Sequence, residues 1–413
     1  MTVTSMRSET TRALTTMFAM GWASVAAAAG GPDQGVAAAK SVVVASVDVT
    51  NTLPAERKRA TAVVDRQTLF ELAPVVAADF RALVVTDAAG RLVLSQVVDS
   101  DGDDEPDELV FQTDLKARET KTFKLRAGPR TPASRADYKV YGRFVRERYD
   151  DFVWENDLVA HRVYGPALES AAKEGMVSSG IDVWVKRTPH LVANDWYLTG
   201  DYHRDHGEGA DFYAVGKSRG CGGLGLWSGG RLAPSRNFVV SRVLASGPIR
   251  LIFELSYAPW EVAPGLRVAE SRRITLDAGT PWNLIESTFT PSAPAKLSAG
   301  IGVAKHPGNA PAVDVGSASL RVWEPLKGEK GDDNGSLGCA VVLAPGSPLE
   351  EHPDDLQYLV VTPVSPTGKL AYHMGTAWDR GGAIHDAAAW GREVQGLAAR
   401  LAAPVKVELS LPK

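Results

Sequence analysis

The 413-residue sequence is poor in cysteine, carries no excess of either charge and, beyond its first thirty residues, has no long apolar run. The two cysteines, Cys221 and Cys339, lack any C-x-x-C partner spacing, so neither is a metal ligand or nucleophile candidate. In an exported chain they could pair, although Cys339 sits in LGCAVVLA, which reads as a buried strand, and Cys221 in a glycine run. Lys and Arg number 45 against 49 Asp and Glu, a net charge of −4. That is too even for a protein that binds nucleic acid by releasing counterions, and no basic-aromatic run suggests otherwise. No G-x-S-x-G, P-loop or dinucleotide fingerprint occurs in a supporting context. GCGGLG at 220–225 follows a loop and leads into a strand-like segment, the wrong order for nucleotide binding.

What is present begins at the N-terminus. Arg7 and Arg12 precede a 16-residue run, Leu14–Ala29, that ends in small side chains, and Ala27 and Ala29 fit an A-x-A cleavage site before Gly30-Gly31. Residues 1–29 are therefore expected to be a signal peptide, and the protein periplasmic or secreted. A membrane-crossing helix needs about 20 apolar residues, so no integral membrane span is expected.

With 44% hydrophobic residues the chain can bury a core. From Ser41 it reads as strands rich in Val, Leu, Phe and Thr, separated by Asp and Gly clusters. SVVVASVDVTNT, ALVVTD, RLVLSQVVD, DELVFQTDL and KTFKLRAG give a small β-sandwich over 41–130, with DRQTLFELAP as its one helix. GPRTPASR, at 128–135, is a credible boundary. Strand runs continue over 137–413 and imply a large antiparallel two-sheet β-sandwich carrying the chemistry, with a helix late, in HDAAAWGREVQGLAARL. The expected class is all-β with few helices.

Two stretches concentrate polar and aromatic groups. Arg146–Glu169 holds Trp154, Glu155, Asn156, Asp157, His161, Arg162 and Tyr164. Trp196–Trp227 holds His203, Asp205, His206, Glu208, Asp211, Tyr213 and Arg219 beside glycines that let a ligand approach the backbone. Aromatic faces stack on sugar C–H groups, planar polar groups bind hydroxyls, and arginine forks a carboxylate, so the combination suits an oligosaccharide. His203, Asp205, His206 and Glu208 are close enough in sequence to share a divalent metal, although the pattern is no named zinc signature. Asp99, Asp101 and Asp103 have the spacing with which a calcium loop presents oxygens, although the EF-hand pattern fails at Gly102. His306 and His373 are further acid–base candidates, each also explicable as a structural histidine in a strand.

Several of these segments carry a resemblance. DDFVWENDLVAHRVYGPAL (150–168), SGIDVWVKR (179–187), YHRDHGEGADFYAVGKSRGCGGLGLW (202–227), GPIRLIFELSYAPW (247–260) and RRITLDAG (272–279) resemble an exported domain-of-unknown-function family encoded beside uronate-polysaccharide degradation genes. DGDDEPDELVFQ (101–112) fits that family's smaller N-terminal region, and the resemblance spans roughly residues 41–400. It implies dehydratase-type processing of unsaturated uronate oligosaccharides, as in ulvan breakdown, and supplies no catalytic residues.

Roles therefore rest on chemistry. Eliminating water or a glycosidic oxygen next to a carboxylate needs a cation for the developing charge, a base and an acid. Arg219 or Arg162 would be the cation, His203 or His206 the base, and Tyr213 or His161 the acid. Trp154, Glu155, Asn156, Arg162, Tyr164, Asp205, Glu208 and Asp211 would bind substrate, and no cofactor is required. Two alternatives stay open. One is a glycoside hydrolase or epimerase, the hydrolase using two carboxylates among Glu155, Asp157, Asp205, Glu208 and Asp211. The other is a noncatalytic sugar-binding protein.

Overall fold

The computed structural model describes residues 42–74, 79–172, 175–328 and 331–412. The expected signal peptide, residues 1–29, lies outside the described residues. The fold is all-β and antiparallel, as the strand runs imply. Among the described residues no helix is long and apolar enough to cross a membrane.

The N-terminal sandwich packs two sheets on one core. The first runs in the order Lys406–Ser410, Val43–Thr50, Thr120–Ala127, Leu83–Thr86, Leu92–Val93; the second runs Arg57–Asp65, Glu108–Leu115, Ser95–Val98. Val47, Val49, Leu83, Leu109, Phe111 and Leu125 fill the space between them, and Phe111 meets Phe123 edge-on at 4.9 Å. The expected helix is Arg66–Leu72. Asp65 caps it, its Oδ1 accepting from the Thr68 backbone N–H at 2.6 Å.

One strand departs from the expected boundary. Lys406–Ser410, far beyond residue 137, pairs with Val43–Thr50 in the register Ser46 to Ser410 and Thr50 to Lys406. Its alternation explains why: Val407 and Leu409 face the N-terminal core while Lys406 and Glu408 face water. Residues 41–413 accordingly form one compact unit.

Among its described residues the remainder contains three sheets. An eight-stranded sheet runs from Val240–Ser246 through Arg250–Ala263, Leu266–Asp277, Trp282–Pro291 and Lys369–Trp378 to Ala310–Asp314 at its far edge. A five-stranded sheet is centred on Cys221–Ser228 and Ser298–Ala304, and another on Asp151–Asn156, Ala160–Val163 and Asp182–Lys186. Their shared core includes Trp154, Val183, Leu224, Phe253, Ile274 and Ile301. The late helix is Ala387–Ala402, capped by Asp386 and anchored by Trp390, which stacks on Trp282 at 5.3 Å. Gly338 lies beneath the Trp390 ring, where an added Cβ would come within 2.8 Å.

A further helix, Ala193–Thr199, was not expected. Its free N-terminal N–H groups are satisfied from a distant strand: Glu155 accepts from the backbone of Val192 at 3.0 Å and Ala193 at 2.8 Å. Gly200 ends it in the left-handed conformation, φ 67°. Cys221 and Cys339 are free, buried thiols. Burial and the adjoining Cys221 push the Cys339 thiol well above its ordinary value, so it is a poor nucleophile.

Candidate active site

Strand alternation sorts the first polar stretch onto two faces. Trp154 and His161, opposite each other across the hairpin, enter the large core. Asp151, Val153, Glu155, Ala160, Arg162, Asp182, Trp184 and Lys186 occupy the other face, where Arg162 pairs in register with Asp182 and Ala160 with Trp184. That second face is covered by the segment from Val192 to Asp211, whose Trp196, Tyr197 and Tyr202 pack on Trp184 at 5.0–5.5 Å.

Charge on a covered face must be paired. Arg162 donates from Nε and Nη2 to Asp182 Oδ2, at 2.9 and 2.5 Å, and from Nη2 to Asp211 Oδ2 at 2.9 Å. All three side chains are buried. The rings of Tyr164, Trp184 and Tyr202 surround the guanidinium at 5.3–5.7 Å. Burial opposes the charge on Arg162, but Asp182 and Asp211 overcome it and hold its pKa above the ordinary value. Burial and the like charge of Asp182 push the Asp211 carboxyl up. Asp151 completes the group: Oδ1 accepts from the Gly165 N–H at 3.0 Å, Oδ2 is buried without a partner, and burial raises its pKa to about 6.

This network reaches water at His203. The turn containing it is closed by the Asp211 N–H donating to the Tyr202 carbonyl at 2.8 Å. The His203 side chain is 59% exposed, and its Nδ1 lies 3.2 Å from the Asp211 carbonyl and 3.6 Å from Asp211 Oδ2. A carbonyl only accepts, so Nδ1 is the donor in this contact, and among the described residues Nε2 has no hydrogen-bond partner. Beside it, at 4.5 Å between ring centres, is Tyr202, whose hydroxyl oxygen accepts from Arg148 Nε at 2.8 Å. Arg148 in turn lies over the Tyr149 ring. Tyr149 and Asp150 both hold positive φ, 53° and 64°, a strained pair of non-glycine residues at the rim.

Other expected site residues are placed elsewhere. His161 is fully buried, with Nε2 against Asn283 Nδ2 at 3.1 Å, which removes it from the acid role. Trp154 is also fully buried and donates to Asn283 Oδ1, so it is core rather than a stacking platform. Glu155 pairs with Lys186 at 2.6 Å, both out of water, and caps the Ala193–Thr199 helix. Asn156 closes its own turn by accepting from Leu158 and Val159. Asp157 pairs with Arg59 at 2.5 Å and accepts from the Gly279 N–H. His206 forms an exposed pair with Asp201 at 2.9 Å, turned to a different carboxylate from His203. Asp205 binds Arg187 and the Gly207 and Gly209 N–H groups, and Glu208 accepts from Trp196 Nε1 at 3.3 Å, so both hold the loop. Tyr213 is buried, edge-on to His306 at 5.1 Å. His306 is engaged at both nitrogens, by Glu324 at 2.6 Å and the Ala214 carbonyl at 2.8 Å. Arg219 is buried, bound to Ser179 Oγ at 2.8 Å.

Among the described residues, the group of three or more acidic, imidazole or thiol side chains whose ligand atoms all fall within 4.8 Å of one another is Asp99, Asp101 and Asp107, which does not include the His203 segment. Asp107 thus stands where Asp103 was expected, because Asp103 turns to accept from the Glu105 N–H at 2.8 Å. The loop is closed by its own carboxylates: Asp99 accepts from Gly102 and Asp104, and Asp107 from Ser100. Sequence reasoning missed Asp182, Trp184 and Tyr202. A lone Asp in the otherwise apolar run IDVWV was the available signal, since a buried carboxylate demands a partner.

The family profile described as "Domain of unknown function (DUF4861)" matches residues 49–407. The chain belongs to this family. Another relative, "Uncharacterized protein P7" of Formosa agariphila, is 31% identical over 345 residues, covering 80% of this chain and 85% of that protein. Among solved structures, a glycosyl hydrolase family 38 protein from Enterococcus faecalis is similar with a TM-score of 0.48 and 10% identity, and an alpha-mannosidase from Enterococcus faecalis V583 with 0.48 and 9%. This DUF4861 chain is covered to 89% in both, yet spans only 47% and 46% of theirs.

Buried histidine gives this DUF4861 protein a predictable acid sensitivity. Burial lowers the His161 pKa from 6.5 to about 3, and that of His373 to about 4. Between those values and 6.5 the unfolded chain binds more protons than the native one, so these groups make stability fall as pH drops through that window. Thermal unfolding followed from pH 7 to pH 4 should show a smaller loss in His161→Gln. An unchanged slope would exclude His161 as a cause.

Proposed function

We propose that this protein is a carbohydrate-active enzyme that eliminates water from a uronate-containing oligosaccharide. The observation that supports the reading best is the exposed His203 ring, held through Nδ1 by the Asp211 carbonyl, with its centre 4.5 Å from that of the Tyr202 ring, whose hydroxyl already accepts a hydrogen bond from Arg148. His203 Nε2 takes the proton from the carbon beside the sugar carboxylate. The C–H electrons form the new C=C bond, and the C–O bond at the next carbon breaks. Tyr202, whose oxygen is oriented by Arg148, gives its proton to the departing hydroxyl, which leaves as water. The proton on His203 returns to Tyr202 through solvent. Arg148 places positive charge beside the developing enolate, the stabilisation such a step requires. Asp211 and Arg162 do not touch substrate; they position the imidazole. The resemblance to proteins encoded with uronate-polysaccharide degradation supports the substrate class.

Mass spectrometry of saturated and unsaturated uronate oligosaccharides incubated with the purified protein tests this directly. Loss of one water per molecule with the chain length unchanged is the expected result. Gain of one water with cleavage would replace the reading by a hydrolase, and no mass change across the panel would leave a binding protein.

A further inference from the structure

A cavity of about 380 Å³ opens over the sheet that contains Cys221–Ser228 and Gln357–Pro363, and no member of the Arg162 network lines it. Small-molecule sites occupy roughly 300–1,000 Å³. Its walls bring Trp227 together with Lys217, Arg219 and Arg231, and with Asp354 and Asp355. Arg219 is 3% exposed. Its Nη1 donates to Ser179 Oγ at 2.8 Å and its backbone N–H to Gln357 Oε1 at 2.8 Å. Among the described residues, none of these three cations is engaged in an ion pair. Asp354, itself part of the wall, accepts at Oδ1 from the N–H groups of Leu356 and Gln357. A buried guanidinium with no carboxylate in direct ion-pair contact is costly, and here burial together with Arg272 lowers its pKa to about 10, against the opposing pull of Tyr257 and Asp354. Trp227 is half-buried, braced by the His352 ring at 4.6 Å, with the cavity beside it.

A rigid indole beside three cations and two carboxylates, a wall of net positive charge, fits a ligand with an apolar ring face, hydroxyls and an anionic substituent. We propose that this cavity binds an acidic sugar unit, stacking its ring on Trp227 and pairing its carboxylate or sulfate with Arg219, Lys217 and Arg231. The inference rests on the reading of an acidic oligosaccharide as substrate, and adds a second point of attachment distinct from His203.

Calorimetric titration of the whole protein with trigalacturonate, a sulfated chondroitin disaccharide and neutral maltotriose tests it. The wild-type minus Trp227→Phe fluorescence difference isolates the signal of this cavity. Expected is binding of one or both acidic sugars with a Trp227 signal, at least tenfold weaker in Lys217→Ala/Arg231→Ala, and none for maltotriose. Binding of trigalacturonate shows that a carboxylate suffices, and binding of the chondroitin disaccharide alone, which carries a carboxylate as well, shows that the sulfate is required. Equal affinity in the double variant, maltotriose binding as tightly, or no Trp227 signal at millimolar sugar would overturn it. Binding without any change of mass in the sugar would keep this inference and remove the elimination reading, so the two fail separately.

Discussion

Replacing Arg162 by methionine is expected to lower the free energy of unfolding by about 3–5 kcal/mol, the usual cost of leaving buried charge without its partner. The loss arises because Asp182 and Asp211 share the one guanidinium, at 2.5 and 2.9 Å, on a sheet face covered by the Val192–Asp211 segment. Neither carboxylate can turn to water without lifting that cover. Urea unfolding measures the effect. Adding Asp182→Asn and Asp211→Asn to Arg162→Met should recover much of it, because two neutral amides no longer need the cation. A loss below about 1 kcal/mol, the range of exposed pairs, would mean that the carboxylates are already solvated.

The second large effect is on turnover. His203→Gln should reduce the rate of water elimination by about two to four orders of magnitude, the share of a general base. The urea midpoint should stay unchanged, since the ring is 59% exposed and packs little. His206→Gln serves as the control. Its side chain lies three residues away but pairs at the surface with Asp201, so its rate should match that of the unaltered protein. Equal rates in both variants would remove His203 from the chemistry.

Much of the fold was legible because its strands are written in Val, Leu, Phe and Thr with turn residues between them, as in Val43–Thr50, Asp182–Lys186 and Lys369–Trp378. Ser298–Ala304 was not, because its SAGIGVA hides the pattern. Gly300 lies under Leu232 and Leu359, and Gly302 against Arg219, so close packing has replaced the side chains that signal a strand. Ser319–Lys327 was obscured by Pro325 near its end. At the candidate site, composition picks out polar segments but does not tell which face of the sheet each residue takes. His161 and Arg162 are neighbours in sequence, yet one enters the large core and the other the buried charge network, as the two-residue period of a strand requires. Trp154 and Glu155 divide in the same way. The neighbours of His203, Asp211 at its Nδ1 and Tyr202 with Arg148 beside it, depend on a turn that follows the helix seated on Glu155. That cap spans 38 residues and leaves no local trace.

The pairing of Ser46 with Ser410 also governs the order in which the chain can assemble. During synthesis the N-terminal sandwich emerges with one side of Val43–Thr50 open, its N–H and C=O groups unmatched and Val47 and Val49 without the cover of Val407 and Leu409. An open strand edge of this kind invites pairing with other chains. Completion waits for a contact of very long sequence separation, the slowest class to form. The lobe made first is thus finished last, and the interval between the two is when the nascent protein most needs a chaperone or a low local concentration.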